Sequence, residues 1–118
     1  MNPALPYYGM LLLSIAMAAG AQLLWKRGAA IAAEGGQAVS MFLSPWILIG
    51  FGIYGLSAAI YVLALRKIPL AVAYPSIALG YVVVVIASWL LFGEALTLAR
   101  MGALVLICAG VALLWVGS

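Results

Sequence analysis

This chain of 118 residues has no histidine, no aspartate and a single cysteine, and its only carboxylates are Glu34 and Glu94. Those absences remove the usual material of a metal centre, a nucleophile–base pair or an internal disulfide, so hydrolytic and group-transfer chemistry has almost nothing to be assembled from. Charge of either sign is scarce: charged residues make up 6% of the chain and hydrophobic ones 69%. That balance excludes a soluble domain with an ordinary polar surface. The net charge of +3 comes from a few basic residues at the ends of apolar runs, and nothing in their spacing supports nucleic-acid binding. Cys108 stands inside an apolar run and says nothing of redox compartment. No enzyme activity and no cofactor are expected.

What is present is four long apolar runs, each near the roughly 20 residues of helix that cross about 30 Å of hydrocarbon. They predict an all-α, integral membrane four-helix bundle in one domain over residues 1–118, with helices at about 6–27, 45–65, 70–92 and 98–116. The first run has no basic segment before it and is long for a secretory leader, so it is read as a retained helix.

In helix 1, Tyr7, Tyr8 and Trp25 mark the two interfaces. Ser14, Ala18, Gln22 and Lys26 recur every four residues and form one stripe. The stripe is either an interhelical hydrogen-bonding face ending in a snorkelling lysine or a polar substrate entrance. Helical pattern can continue to Ala33, but Gly35-Gly36 should stop it, and residues 37–43 should lie at the interface. Ser44-Pro45 is a start signal for helix 2. There Gly50, Gly52, Gly55 and Ala59 permit close packing, and Tyr54 and Tyr61, seven residues apart, share a face that either packs or lines a cavity.

Arg66 and Lys67 fix a water-facing corner before Pro69, and helix 3 follows with Tyr74, Pro75, Ser76, Gly80 and Tyr81 in its first half. Pro75 frees a backbone carbonyl inside the apolar run, which makes Tyr74-Pro75-Ser76 a candidate working site. Gly93-Glu94 ends helix 3, Thr97 can cap helix 4, and Arg100 in that first turn is expected to reach Glu94, headgroups or a ligand. Ala103 and Gly110, seven apart, form a notch that is either internal packing or a dimer seam. Lys26, Arg27 and Arg100 fall on one side of the membrane and Arg66 and Lys67 on the other, a division too even for the positive-inside bias to select an orientation. The five basic residues can pair with phosphate or simply anchor to anionic headgroups. No carboxylate stands at the centre of any expected helix, where proton-coupled exchange normally needs one.

The order of Gly20-Ala21-Gln22-Leu23-Leu24-Trp25-Lys26, Ile68-Pro69-Leu70-Ala71-Val72-Ala73-Tyr74-Pro75 and Leu91-Phe92-Gly93-Glu94 through Leu106-Ile107-Cys108-Ala109-Gly110-Val111 resembles the four-helix branch of the drug/metabolite transporter superfamily. Two groups compete within it. The small multidrug resistance exporters carry a glutamate in helix 1 where this chain has Ala18, and an aromatic residue where it has Ile77, although Tyr54 and Tyr74 match exporter site tyrosines. The aminoarabinose-phosphoundecaprenol flippase subunits are similar through Gly20-Ala21-Gln22, Ala73-Tyr74-Pro75 and Glu94, and are the better match.

That resemblance implies a multi-pass protein of the bacterial inner membrane that moves an undecaprenyl-phosphate-linked sugar or similar lipid phosphate. It implies a homodimer, or a heterodimer with a related four-helix subunit, among membrane lipids. Under it, Lys26, Arg27, Arg66 and Lys67 capture the headgroup at the two sides, and Gln22, Tyr54, Tyr61, Tyr74, Ser76 and Tyr81 line the path, with Pro75 and Glu94 in the same site. Export of hydrophobic cations or metabolites, and a non-transporting partner subunit, are the alternatives.

Overall fold

A computed structural model describes residues 5–35 and 41–117, with the side chains of 33–35 left aside. The chain forms α1 (Leu5–Gly35), α2 (Pro45–Ala64), α3 (Leu70–Ser76), α4 (Ala78–Phe92) and α5 (Leu98–Val116). Among the described residues, four segments are long and apolar enough to cross a membrane: Leu5–Ala32, Pro45–Ala64, Leu70–Phe92 and Leu98–Val116. The protein is a multi-pass membrane protein whose third span is α3 and α4 in series.

Helix α1 runs past the expected Arg27 to Gly35, the first of the paired glycines. Leu5 to Lys26 alone covers about 32 Å at 1.5 Å per residue, enough to cross the hydrocarbon, so the last turns extend beyond it. Of the expected interfacial segment, residues 37–40 lie outside the described residues. Ser44 sits at the N-cap of α2 and Pro45 in its first turn, but the serine side chain makes no capping bond. The fixed φ of proline, not the hydroxyl, prepares this start.

The third span differs from the uninterrupted helix expected over 70–92. Pro69 caps α3, accepting from the backbone N–H groups of Val72 and Ala73 at 3.0 and 2.9 Å. At Ile77 the bonding tightens to an i−3 pattern, Ile77 N–H to Tyr74 carbonyl (3.1 Å) and Gly80 N–H to Ile77 carbonyl (2.9 Å). Pro75 explains the lapse: it has no N–H to give the preceding turn, and its ring crowds the carbonyl four residues back. Helix α4 ends at Gly93, which has φ 69°, a left-handed conformation open to glycine at little cost, while the Glu94 N–H reaches back to the Ser88 carbonyl at 3.3 Å. Thr97 caps α5 as expected, its Oγ1 accepting from the Arg100 N–H at 3.2 Å.

Helices α1 and α2 lie antiparallel along most of their length, α4 packs on α1, and α5 leans on α3 and α4. The buried core gathers at one end of the bundle, where Leu11 and Ile15 of α1 meet Ala64, Ile68, Val72 and Ala73. Close approach of α1 to α2 depends on glycine at two points. A β-carbon at Gly50 would lie 2.5 Å from Trp25 Nε1, and one at Gly28 would lie 2.8 Å from Ile47 Cδ1. Gly52 and Gly55, expected to serve the same purpose, have nothing within 4 Å among the described residues, and Gly55 and Ala59 are both exposed.

Candidate functional site

Three helices surround a cavity of about 540 Å³ at the middle of the bundle. From α1 come Ser14, Ala18 and Gln22, with Ile15 and Ala19 beside them. From α2 come Tyr54, Ser57, Ala58 and Tyr61, and from the third span Ile77, Ala78, Gly80, Tyr81 and Val84. Each set follows a spacing of three, four or seven residues, the repeat of one helix face. Ser14 and Ser57 form a buried floor, 4% and 3% exposed, while Gln22, Tyr54, Ile77 and Tyr81 form an exposed rim. The cavity therefore opens sideways between helices, toward the surface that apolar side chains present to lipid.

The polar groups of the lining are neutral. The Ser14 hydroxyl donates to the Leu11 carbonyl at 2.7 Å and the Ser57 hydroxyl to the Tyr54 carbonyl at 2.6 Å. Their donors are committed to backbone, which leaves oxygen lone pairs to accept from a guest. Among the described residues Tyr61 Oη is buried without a hydrogen-bond partner, and Gln22 adds an amide that both donates and accepts. No lining residue is histidine, cysteine or a carboxylate, so the lining offers no ligand set for a metal ion.

One turn beyond Gln22 the character changes. Lys26 Nζ lies 3.3 Å from Glu94 Oε1, both side chains substantially exposed at 53% and 40%. Arg27 lies over the Trp46 ring, 5.7 Å from its centroid. Trp25 donates to the Ile47 carbonyl at 3.2 Å and holds ring contacts with Phe51 (4.9 Å) and Tyr54 (5.3 Å), which joins this charged end to the cavity wall. Arg100 does not meet Glu94: its guanidinium donates to the Ala95 carbonyl within its own connection. Glu94 instead pairs across to α1 with Lys26.

The structure thus brings Gln22, Tyr54, Tyr61 and Tyr81 to one cavity and places Lys26, Arg27 and Glu94 at its nearer end. Arg66 and Lys67 are exposed at the opposite end. Tyr74 and Pro75 lie apart from the cavity in a shallow groove with Leu70 and Ala71. Ser76, fully buried, donates to the Val72 carbonyl at 2.6 Å and accepts from Trp115 Nε1 at 2.7 Å, and it is not among the cavity-lining residues. Gly110 is exposed with open space around it, and Ala103 is half-buried. Sequence reasoning passed over Ser57, although it falls three residues after Tyr54 and four before Tyr61, on the face those tyrosines already marked. It also passed over Trp115, for which no short-range signal exists.

The small multidrug resistance protein family model matches residues 28–107. A probable 4-amino-4-deoxy-L-arabinose-phosphoundecaprenol flippase subunit ArnF of Sodalis glossinidius is 33% identical over 116 residues, 91% of this chain and 88% of that protein. The corresponding probable subunit ArnE of Pseudomonas fluorescens is 27% identical over 95 residues, 80% of this chain and 72% of that protein. ArnE of Pseudomonas paraeruginosa is 37% identical over 71 residues, 60% of this chain and 62% of that relative's own length. No solved structure matches the chain. With the family model matched across most of its length and four apolar spans in the structure, the chain belongs to the small multidrug resistance family of membrane proteins.

Proposed function

We propose that the protein moves an undecaprenyl-phosphate-linked sugar, or a lipid phosphate of similar build, across the bacterial inner membrane. It works as a dimer with a second copy or a related four-helix subunit. The observation that carries this reading is the uncharged, hydroxyl-lined cavity open to lipid, with a lysine one helical turn beyond its rim. A sugar ring has donors and acceptors to match neutral hydroxyls and an amide, a phosphate pairs with an ammonium group, and a polyprenyl tail is best left in hydrocarbon. A cavity of about 540 Å³ suits a headgroup and not the tail. The relatives named as flippase subunits support the same substrate class.

The test is reconstitution into liposomes with the aminosugar lipid in both leaflets, followed by a membrane-impermeant amine-reactive reagent. Protein paired with a related subunit should bring nearly all the lipid within reach of the reagent, where protein-free liposomes leave the inner-leaflet share protected. Protection unchanged by the protein, alone and paired, overturns the reading.

A second reading, export of hydrophobic cations, is favoured by the aromatic cluster of Trp25, Phe51 and Tyr54, of which Tyr54 lines the cavity, since ring faces attract cations. The cavity lining has no carboxylate to exchange a proton for such a cation. Proton movement driven by a quaternary ammonium compound in the same liposomes would select this reading over the first.

A further inference from the structure

The break in the third span at Ile77 is held from outside. Pro75 withdraws one backbone donor, and Ser76 donates its hydroxyl to the Val72 carbonyl at 2.6 Å, an i−4 bond of the kind that bends helices. The lone pair left on that hydroxyl accepts the indole N–H of Trp115, at 2.7 Å and from the far end of α5. Both functions of the hydroxyl are therefore engaged, and Ser76 is 0% exposed. Trp115 is seated in turn by α1, its ring centroid 4.8 Å from that of Tyr8. One residue after Ser76 the chain enters the cavity wall, with Ile77, Ala78, Gly80 and Tyr81. Gly80 approaches α1 so closely that a β-carbon there would lie 3.3 Å from Ile15. A change in the inclination of α4 after the break would therefore move the cavity wall relative to α1.

We propose that the Trp115–Ser76 hydrogen bond is a latch that fixes the bend between α3 and α4 and so sets the aperture of the cavity between α4 and α1. Trp115 is then a positioning residue: it does not line the cavity but holds the wall that does. In a dry, low-dielectric setting a bond of this kind persists because no water is at hand to replace it when it breaks. Its loss frees α4 to take more than one inclination.

The test measures the spacing of α1 and α4 directly. Spin labels are placed on Leu12→Cys and Val83→Cys, two exposed positions outside the cavity lining, in a Cys108→Ser background diluted with unlabelled subunit in lipid nanodiscs. The latched protein should give one narrow distance distribution. Trp115→Phe, which keeps a ring against Tyr8 but has no N–H, should broaden or split it, moving the population by about tenfold. Ser76→Ala should do the same, and the double variant should do no more than either single one. Tyr8→Leu, which removes the ring contact and leaves the hydrogen bond, should keep the narrow distribution. An unchanged distribution in either single variant overturns the proposal, as does a double variant equal to the sum of two independent effects. Should one single variant fail to fold, the other decides. No substrate is present, so the result stands or falls separately from the lipid-translocation reading.

Discussion

At the end of the bundle near Arg66 and Lys67, Leu11, Ile15, Ala64, Ile68, Val72 and Ala73 close on one another, and Trp115 ties the last helix to the bend of the third span. At the end near Lys26 and Glu94, α1 and α2 meet closely at Gly28 and Gly50, but the end of the third span is tied to α1 by an exposed ion pair, and the space below opens into the cavity. The difference is one of packing more than composition, since both ends are apolar with a few basic residues. Lipid tails solvate leucine as well as protein does, so helices inside a bilayer associate through close contact and hydrogen bonds. The third span is therefore interlocked with α1 and α2 at one end, while toward the other the cavity lies between them and a guest can enter without dismantling that core.

The comparison is broken most severely by emptying the closed end. Leu11→Ala, at a fully buried position, should cost about 2–3 kcal/mol, toward the low end for such truncations because hydrocarbon surrounds both states. Leu13→Ala, two residues along the same helix and 52% exposed, should stay within about 0.5 kcal/mol. Denaturation in mixed micelles, followed by loss of helical circular dichroism, measures both.

The next largest effect tests whether α1 and α2 meet at one glycine or several. Gly50→Ala should cost about 1–3 kcal/mol, since the new methyl would have to displace the Trp25 indole, while the Ala21 carbonyl at 3.3 Å limits retreat. Gly52→Ala, with nothing within 4 Å, should be neutral or stabilising by up to about 1 kcal/mol through helix propensity. The same denaturation assay separates them. Equal losses at the two sites would mean that Gly52 faces a helix after all.

These contrasts also mark where the sequence could and could not be read. Span length and apolarity located all four crossings, and four- and seven-residue spacing brought Gln22, Tyr54 and Tyr61 onto faces that the structure joins in one cavity. Local chemistry sufficed for the Thr97 cap and the Gly93 stop. What spacing cannot supply is the rotation of one helix against another, so Gly50 and Gly55 read alike although only Gly50 meets α1. The same limit hid the partner of Ser76. Its hydroxyl suggested a path-lining group, but an indole 39 residues later claims it. Glu94 likewise had a near neighbour in Arg100 and a distant one in Lys26, and the structure pairs it with the distant one.

A milder break removes the indole hydrogen bond at the open end. Trp25→Phe keeps a ring against Phe51 and Tyr54 but loses the bond to the Ile47 carbonyl, and should cost about 0.5–1.5 kcal/mol. If the two ends are independent, the loss should also quicken hydrogen exchange in the first turns of α2 and leave α3 unchanged. Exchange quickened equally in both helices would erase the distinction between the two ends.

The smallest expected effect on stability, and the sharpest on function, is at the ion pair. Lys26 and Glu94 are each more than a third exposed, so water and salt screen their attraction and the pair is worth no more than about 1 kcal/mol. Glu94→Gln and Lys26→Gln should therefore denature almost as the unaltered protein does. Their effects on lipid translocation should diverge. If phosphate is captured at this end, Lys26→Gln removes the capturing charge and should lower translocation about tenfold, the loss of one charge-assisted contact. Glu94→Gln removes the competitor for that ammonium group and should leave translocation unchanged or raise it. Equal losses in the two variants would assign the pair to holding the open end together, and the lysine would no longer be a receptor for phosphate.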